Sequence, residues 1–316
     1  MAVGPAAQAP DRHTATVSTR RGPRPRRSRL HWSRRRAGFL FSLPVILLEL
    51  GLLGLPILQT FYYSFTNWNG LTSSWVGLDN YATLFSDSTF WQVLGNNALL
   101  LASIPVAIVI PLAVAFLLNE HVAGWRFFRS AYFLPTAISW VVIGIVAIRF
   151  FAAEGILNGV LRTIGLGGVH TDLLSGEVGA MTAVIITFIW SVFGTNTIIF
   201  ITGMATLDRE VYEAARVDGA GAWATLFQVT LPMLRRFIQF AFILTLITAF
   251  TALFSLIFVM TSGGPGFGTT TLEFFVYEKA FATGVFGLAA AIGVVLFVIV
   301  FGISIAQLRL FRSQVD

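Results

Sequence analysis

Glu213-Ala214-Ala215-Arg216-Val217-Asp218-Gly219, with Val229-Thr230-Leu231-Pro232 following, is a polar island in a chain that otherwise reads as membrane. The runs on either side of it, about 180–203 and 237–260, are continuously apolar. Each is longer than the roughly 20 residues a helix needs to cross a bilayer. If both flanks cross, the island is a connection between two spans, and the fold is an all-α polytopic one. Helices are preferred to a transmembrane barrel because the runs do not alternate in polarity.

The rest of the chain agrees. Of its 316 residues 56% are hydrophobic and only 11% charged, with 30 Phe and 8 Trp. A soluble domain carries about 25% charged residues. Six runs qualify as spans: about 39–63, 98–118, 131–151, 180–203, 237–260 and 286–308. There is no cysteine, which excludes disulfides and thiolate metal sites. The four histidines, His13, His31, His121 and His170, are too dispersed to form a ligand set.

The net charge of +6 is not evidence for nucleic-acid binding, because of where the charge lies. Ten of the 21 basic residues, from Arg12 to Arg36, precede the first span. They read as a disordered cytoplasmic tail, 1–36, leading into a six-span membrane domain, 37–316. A cleaved signal peptide is not expected, since the basic region is too long and the apolar run exceeds an ordinary signal core. With the N-terminus inside, eighteen basic residues fall on inner segments and three (Arg149, Arg162, Lys279) on outer ones. That bias predicts both termini in the cytoplasm.

The outer connections look ordered. Ser86 or Asp87 is placed to cap a short interfacial helix carrying Phe90, Trp91, Val93 and Leu94. A second amphipathic stretch covers 156–164. Gly263-Gly264-Pro265-Gly266 must end the fifth span. Arg149 and Glu154 are expected to pair at the outer end of the third span.

The island itself, in an inner loop of about 205–236, has room for two short helices. Asp208 and Glu210 suit a first helical turn. Val211, Ala214 and Ala215 share a face, and the two small alanines let another surface approach closely. Gly219 suits a left-handed helix end. Pro232 is placed to open the turn into the fifth span. On shape alone this is also what a helix lying on the membrane would look like.

The order of residues is more specific. Glu213-Ala214-Ala215, three residues, Gly219, nine residues, Val229, one residue, Leu231-Pro232 resembles the signature of permease subunits of binding-protein-dependent ABC importers. Val76-Gly77-Leu78-Asp79-Asn80-Tyr81, Phe133-Leu134-Pro135 and the segment from Thr261 to Tyr277 are similar to the carbohydrate-uptake branch of that family. The resemblance covers about 37–312 and leaves the tail unexplained. It implies a type I permease fold in the plasma membrane of a bacterium or archaeon. It implies a docking role for Glu213, Ala214, Ala215, Asp218, Gly219, Leu231 and Pro232 against an ATPase. It also implies two ATPase copies, a second similar permease, an extracytoplasmic binding protein and a sugar as cargo. Independently, the single lysine, Lys279, follows Glu278, so the chain cannot hold the Gly-Lys of a nucleotide-binding P-loop. ATP and magnesium would have to be bound by the partner, with no cofactor in this chain.

Polar groups within the spans are the candidates for a solute pathway: Trp190, Thr195 and Asn196 in the fourth span, and Thr248, Thr251 and Ser255 in the fifth. Hydroxyls and amides can bind sugar hydroxyls, but the same residues also serve close helix packing. Glu49 in the first span is costly in lipid and must face protein, water or a proton. It supports the alternative of a secondary transporter or channel with Glu49 as its proton or ion site. A membrane-embedded enzyme would need catalytic groups that the spans do not supply.

Overall fold

A computed structural model describes Gly4 and residues 29–119, 134–166 and 172–312. Two compact units divide at Pro56 and Ile57. The first contains helix α1, Arg29–Glu49, which continues through a π-helical turn at Leu50–Gly54 into α2, Leu55–Tyr63. The last eight residues of the Arg-rich segment are therefore helical. Pro44 lies inside α1, a placement that membrane helices tolerate.

The second unit holds the remaining helices. They are α3 (Asp79–Ser86), α4 (Ser88–Asn119), α5 (Trp140–Phe151), α6 (Ile156–Thr163) and α7 (Glu177–Met204). After these come α8 (Arg209–Val217), α9 (Arg235–Thr251), α10 (Leu253–Met260), α11 (Leu272–Tyr277) and α12 (Phe286–Arg312). Among the described residues five stretches are long and apolar enough to cross a membrane: Phe39–Tyr63, Ser88–Leu118, Trp140–Thr163, Glu177–Met204 and Phe286–Gln307. A sixth is reached if the bent pair Thr225–Met233 and Arg235–Thr251, 70° apart, counts as one.

Three boundaries differ from the sequence reading. The short interfacial helix expected at 90–94 is the first part of the second span. Asp87 caps it, its Oδ1 accepting from Thr89 N at 2.8 Å, but the helix then runs unbroken for 32 residues. Phe90 and Val93 are buried against Leu272, Phe275 and Ile292, and of the aromatics only Trp91 faces outward. The third span starts as a helix at Trp140, not 131. Pro135 sits in a 3-10 turn, and Ser139 caps α5 by accepting from Val142 N. The fifth span is interrupted at Ala252, between α9 and α10.

The core lies where α4, α7, α9 and α10 meet. Leu100, Ile104 and Ala107 of α4 join Val184 and Phe188 of α7 and Leu253 and Leu256 around the break in the fifth span. Lipid is as apolar as these side chains, so close packing, not exclusion of water, holds the helices together here. Gly144 illustrates it: a Cβ at that position would lie 3.1 Å from Val259, so α5 and α10 approach through the missing side chain.

The connection from α10 to α11 is the most enclosed polar region. Thr269, Thr270 and Thr271 are buried. Asn96 Nδ2 donates to the carbonyls of Phe267 at 2.8 Å and Thr270 at 2.9 Å, and Asn97 Oδ1 accepts from Leu272 N at 2.9 Å. Gln92 donates to Glu177, whose side chain fills the space beside Gly266 and Gly268. Gly287 donates its N–H to Trp68 O at 2.9 Å, and any Cβ there would run into the Thr66 carbonyl. The expected pair of Arg149 and Glu154 does not form. The turn 152–155 brings α6 back so that Arg162, not Arg149, reaches Glu154, at 3.7 Å.

Candidate functional site

The island folds into α8 followed by a helical stretch, 222–233, with a π-helical turn at Thr225–Thr230. Glu210 lies in the first turn of α8 and Arg216 in the last, each at the helix end whose partial charge favours it. Gly219 has φ +79°, a left-handed conformation that glycine adopts at little cost. It closes the helix, with Gly219 N donating to Arg216 O and Ala220 N to Ala215 O.

Thr230 is fully buried and ties the two parts together. Its hydroxyl donates to Thr225 O at 3.2 Å and lies 3.5 Å from the Tyr212 hydroxyl. Leu234 follows, also buried, and there the chain bends into α9. Pro232 stands at the opening of the short helix just before that bend. Glu213, Ala214, Asp218, Gly219 and Pro232 are exposed, and Ala215 and Leu231 half-buried. The island thus presents an exposed face that carries a carboxylate beside a small side chain.

The second candidate region is a cavity of about 260 Å³ between the start of the third span and spans four and five. Ser191, Thr195 and Asn196 of α7, Thr245 and Thr248 of α9, and Thr136 and Trp140 supply its polar and aromatic lining. Of the seven pathway residues named from sequence, the structure brings Thr195, Asn196 and Thr248 together here. Trp190 faces a different, apolar groove. Thr251 is exposed and donates to Ile247 O within its own helix. Ser255 is half-buried outside the cavity lining. Glu49 is exposed and belongs to the first unit.

Asn196 is only 1% exposed, and its amide nitrogen donates to Ala107 O at 2.9 Å and to Thr245 Oγ1 at 3.1 Å. Its first role is therefore to join spans two, four and five. Sequence reasoning passed over Thr136 and Trp140, which the turn at Pro135 delivers to the cavity, and over Asn96 and Asn97. Two adjacent amides at the start of an apolar run were the available signal for the latter pair.

Three comparisons bear on these features. The chain is 34% identical over 279 residues, 87% of its length, to the multiple sugar-binding transport system permease protein MsmF of Streptococcus mutans, 95% of which is covered. Its fold matches a chain of a bacterial ABC transporter involved in the import of the acidic polysaccharide alginate, with TM-score 0.77 and 22% identity over 91% of this chain and 99% of that one. A structure of the alginate transporter in complex with an alginate pentasaccharide-bound periplasmic protein matches with TM-score 0.75 and 21% identity, over 88% and 94% of the two chains. Residues 82–312 match the family described as the binding-protein-dependent transport system inner membrane component, and the chain belongs to that family.

Proposed function

We propose that this permease subunit moves a sugar or oligosaccharide across the plasma membrane, with energy delivered through α8. The observation that carries the reading is the exposed, rigidly seated face of α8 bearing Glu213, Ala214, Asp218 and Gly219. A polar helix held by buried Thr230 and left bare on its far side suits a protein partner that brings a basic group to Glu213. That partner is a pair of ATPase subunits, which bind the ATP and magnesium. The basic-residue bias supports a cytoplasmic position for the island and both termini, where such subunits can reach it.

The cavity supports a sugar as cargo. Hydroxyls of Ser191, Thr195, Thr245 and Thr248 and the ring of Trp140 are the groups a carbohydrate needs for hydrogen bonding and stacking. The sugar and alginate transporters among its relatives point the same way. At about 260 Å³ the cavity falls below the roughly 300–1,000 Å³ of small-molecule sites. A second, similar permease supplies the rest of the pathway. An extracytoplasmic binding protein delivers the solute to the outward-open state. Closure of the ATPases pulls on α8 and opens the spans outward, and hydrolysis resets them. Glu49 as an ion site is not favoured, because the relatives of this chain are permeases of ABC transporters.

The test is to purify the chain with its co-isolating subunits and measure ATP hydrolysis with candidate solutes and their binding protein. A sugar-loaded binding protein is expected to stimulate hydrolysis. Stimulation only by amino acids, metals or phosphate would sink the carbohydrate assignment.

A further inference from the structure

Spans three and four enclose a second cavity, about 330 Å³, that has no part in the pathway proposed above. Val146, Ala147, Phe150 and Phe151 of α5 line one side, and Ile186, Thr187 and Trp190 of α7 the other. Ala147 and Phe151 are buried and form its floor. Val146, Phe150, Ile186 and Trp190 are half-exposed and form its open rim. The one hydroxyl in the lining, that of Thr187, donates to Ala183 O at 2.7 Å. Apart from that hydroxyl and the indole N–H of Trp190, the lining is apolar.

Arg149 stands on the edge of this groove. It follows Val146 by three residues and immediately precedes Phe150, so its side chain rises beside the rim near the end of α5. It is exposed and makes no ion pair among the described residues, since the nearby Glu154 is taken by Arg162. A guanidinium in the last turn of α5 presents several donors suited to phosphate oxygens.

We infer that this groove is a phospholipid site, with one acyl chain lying between Phe150 and Trp190 and the lipid phosphate on Arg149. Charge complementarity selects this occupant: an apolar groove within two spans ends at an unpaired cation, and a phospholipid has the matching apolar chain and anionic phosphate in that order. Trp190 then serves the lipid, and not the sugar for which the sequence had marked it.

The test uses the full chain with its co-isolating subunits in mild detergent. Native mass spectrometry measures binding of phosphatidylglycerol, of diacylglycerol of the same chain length, and of inorganic phosphate alone. The expected result is that phosphatidylglycerol binds about fivefold more tightly than diacylglycerol, the size of one arginine–headgroup contact. Inorganic phosphate should not bind at all. Arg149→Gln should erase the difference between the two lipids, while Val146→Trp, which fills the groove from its rim, should weaken both. Phosphatidylglycerol with brominated chains should quench fluorescence in the wild type and lose that component in Trp190→Phe. If Arg149→Gln leaves the two lipids as different as before, or the bromine-dependent component survives Trp190→Phe, the site is not there. Cross-linking of a cysteine at position 146 to the second permease in place of lipid would equally overturn it. The lipid readouts do not depend on which solute is transported, so they stand or fall separately from the sugar assignment.

Discussion

Two stretches interrupt the apolar pattern most strongly: the island around α8 and the connection from Thr261 to Leu272. They are alike in sequence, each rich in glycine and polar residues, and opposite in structure. In the 261–272 connection Thr269, Thr270 and Thr271 are buried, and Asn96 and Asn97 reach in from α4 to satisfy its backbone. On α8 Glu213, Ala214 and Asp218 are exposed, and Tyr212 meets the buried Thr230 beneath. Polar composition in a membrane chain therefore does not by itself mark a docking surface. Buried polarity whose backbone groups are paired from a neighbouring span marks scaffold, and an exposed polar helix marks a candidate docking face.

The largest effects are expected on the scaffold side. Asn96→Leu strands the Thr270 carbonyl in a buried setting and leaves Phe267 O with only its bond from Thr270 N, and a group left unpaired costs about 1–3 kcal/mol. Gly287→Ala drives a Cβ into the Thr66 carbonyl where the last span begins, and overpacking of that kind costs about 1–3 kcal/mol. Both variants should melt well below the wild type in detergent and be recovered in low yield. Wild-type melting of Asn96→Leu would mean that the 261–272 connection is not held from α4, and the contrast with the island would collapse.

On the island the prediction is reversed. Glu213→Ala removes an exposed side chain, and surface changes of this type stay within about 0.5 kcal/mol of stability. Gly219→Val forces a branched residue into the left-handed region, at about 1–2 kcal/mol, confined to the end of an exposed helix. Insertion should be normal in both. Solute-stimulated ATP hydrolysis should fall tenfold or more, equivalent to about 1.4 kcal/mol of lost interface energy. Normal uptake by both variants would remove α8 from the docking role.

A third prediction concerns the junction of scaffold and loop. Glu273 in α11, outside the spans, has its carboxyl pushed up from 4.5 to about 8 because burial disfavours its charge, with the Phe254 backbone amide opposing in part. Its Oε2 is buried and has no hydrogen-bond partner. Between pH 4.5 and about 8 the folded chain holds a proton there that the unfolded chain has lost. Stability should be greatest at the acid end of that window. It should decline toward the alkaline end by up to about 1.4 kcal/mol per pH unit. Glu273→Gln should flatten the dependence of melting temperature on pH. An unchanged slope would show that the carboxyl is not buried as the fold places it.

Much of this was legible in the chain and some was not, for physical reasons. A span announces itself by its long apolar run, so five of the six runs and the glycine at 219 could be read directly. The start of α4 could not. Phe90 and Val93 are buried against Leu272 and Phe275, which are distant in sequence, while Gln92, Asn96 and Asn97 interrupt the hydrophobic run. Pathway residues were the least readable. Successive helical positions point 100° apart, so Trp190 and Thr195 enter different cavities although they lie in one span. Only the rotation of α7 against α5 and α9 decides which of them a solute could meet.

Asn196 carries the smallest and most discriminating effect, because it belongs to both sides of the comparison. It lines the cavity, yet its amide is committed to Ala107 O and Thr245 Oγ1. Interhelical hydrogen bonds in membrane proteins contribute about 0.6 kcal/mol on average, and up to about 1.7. Asn196→Leu should therefore lower the melting temperature slightly and weaken transport of every solute alike. Thr248→Val offers the contrast. Its hydroxyl donates to Leu244 O of its own helix, so losing it should leave melting unchanged while altering only what the cavity presents. If Thr248→Val raises the KM for one sugar and Asn196→Leu lowers stability without changing the ranking of sugars, the cavity is a recognition wall seated on an asparagine scaffold. If Asn196→Leu instead reorders the sugars at unchanged stability, the amide faces the solute during transport. The hydrogen bonds to α4 and α9 would then be those of one state in the cycle only.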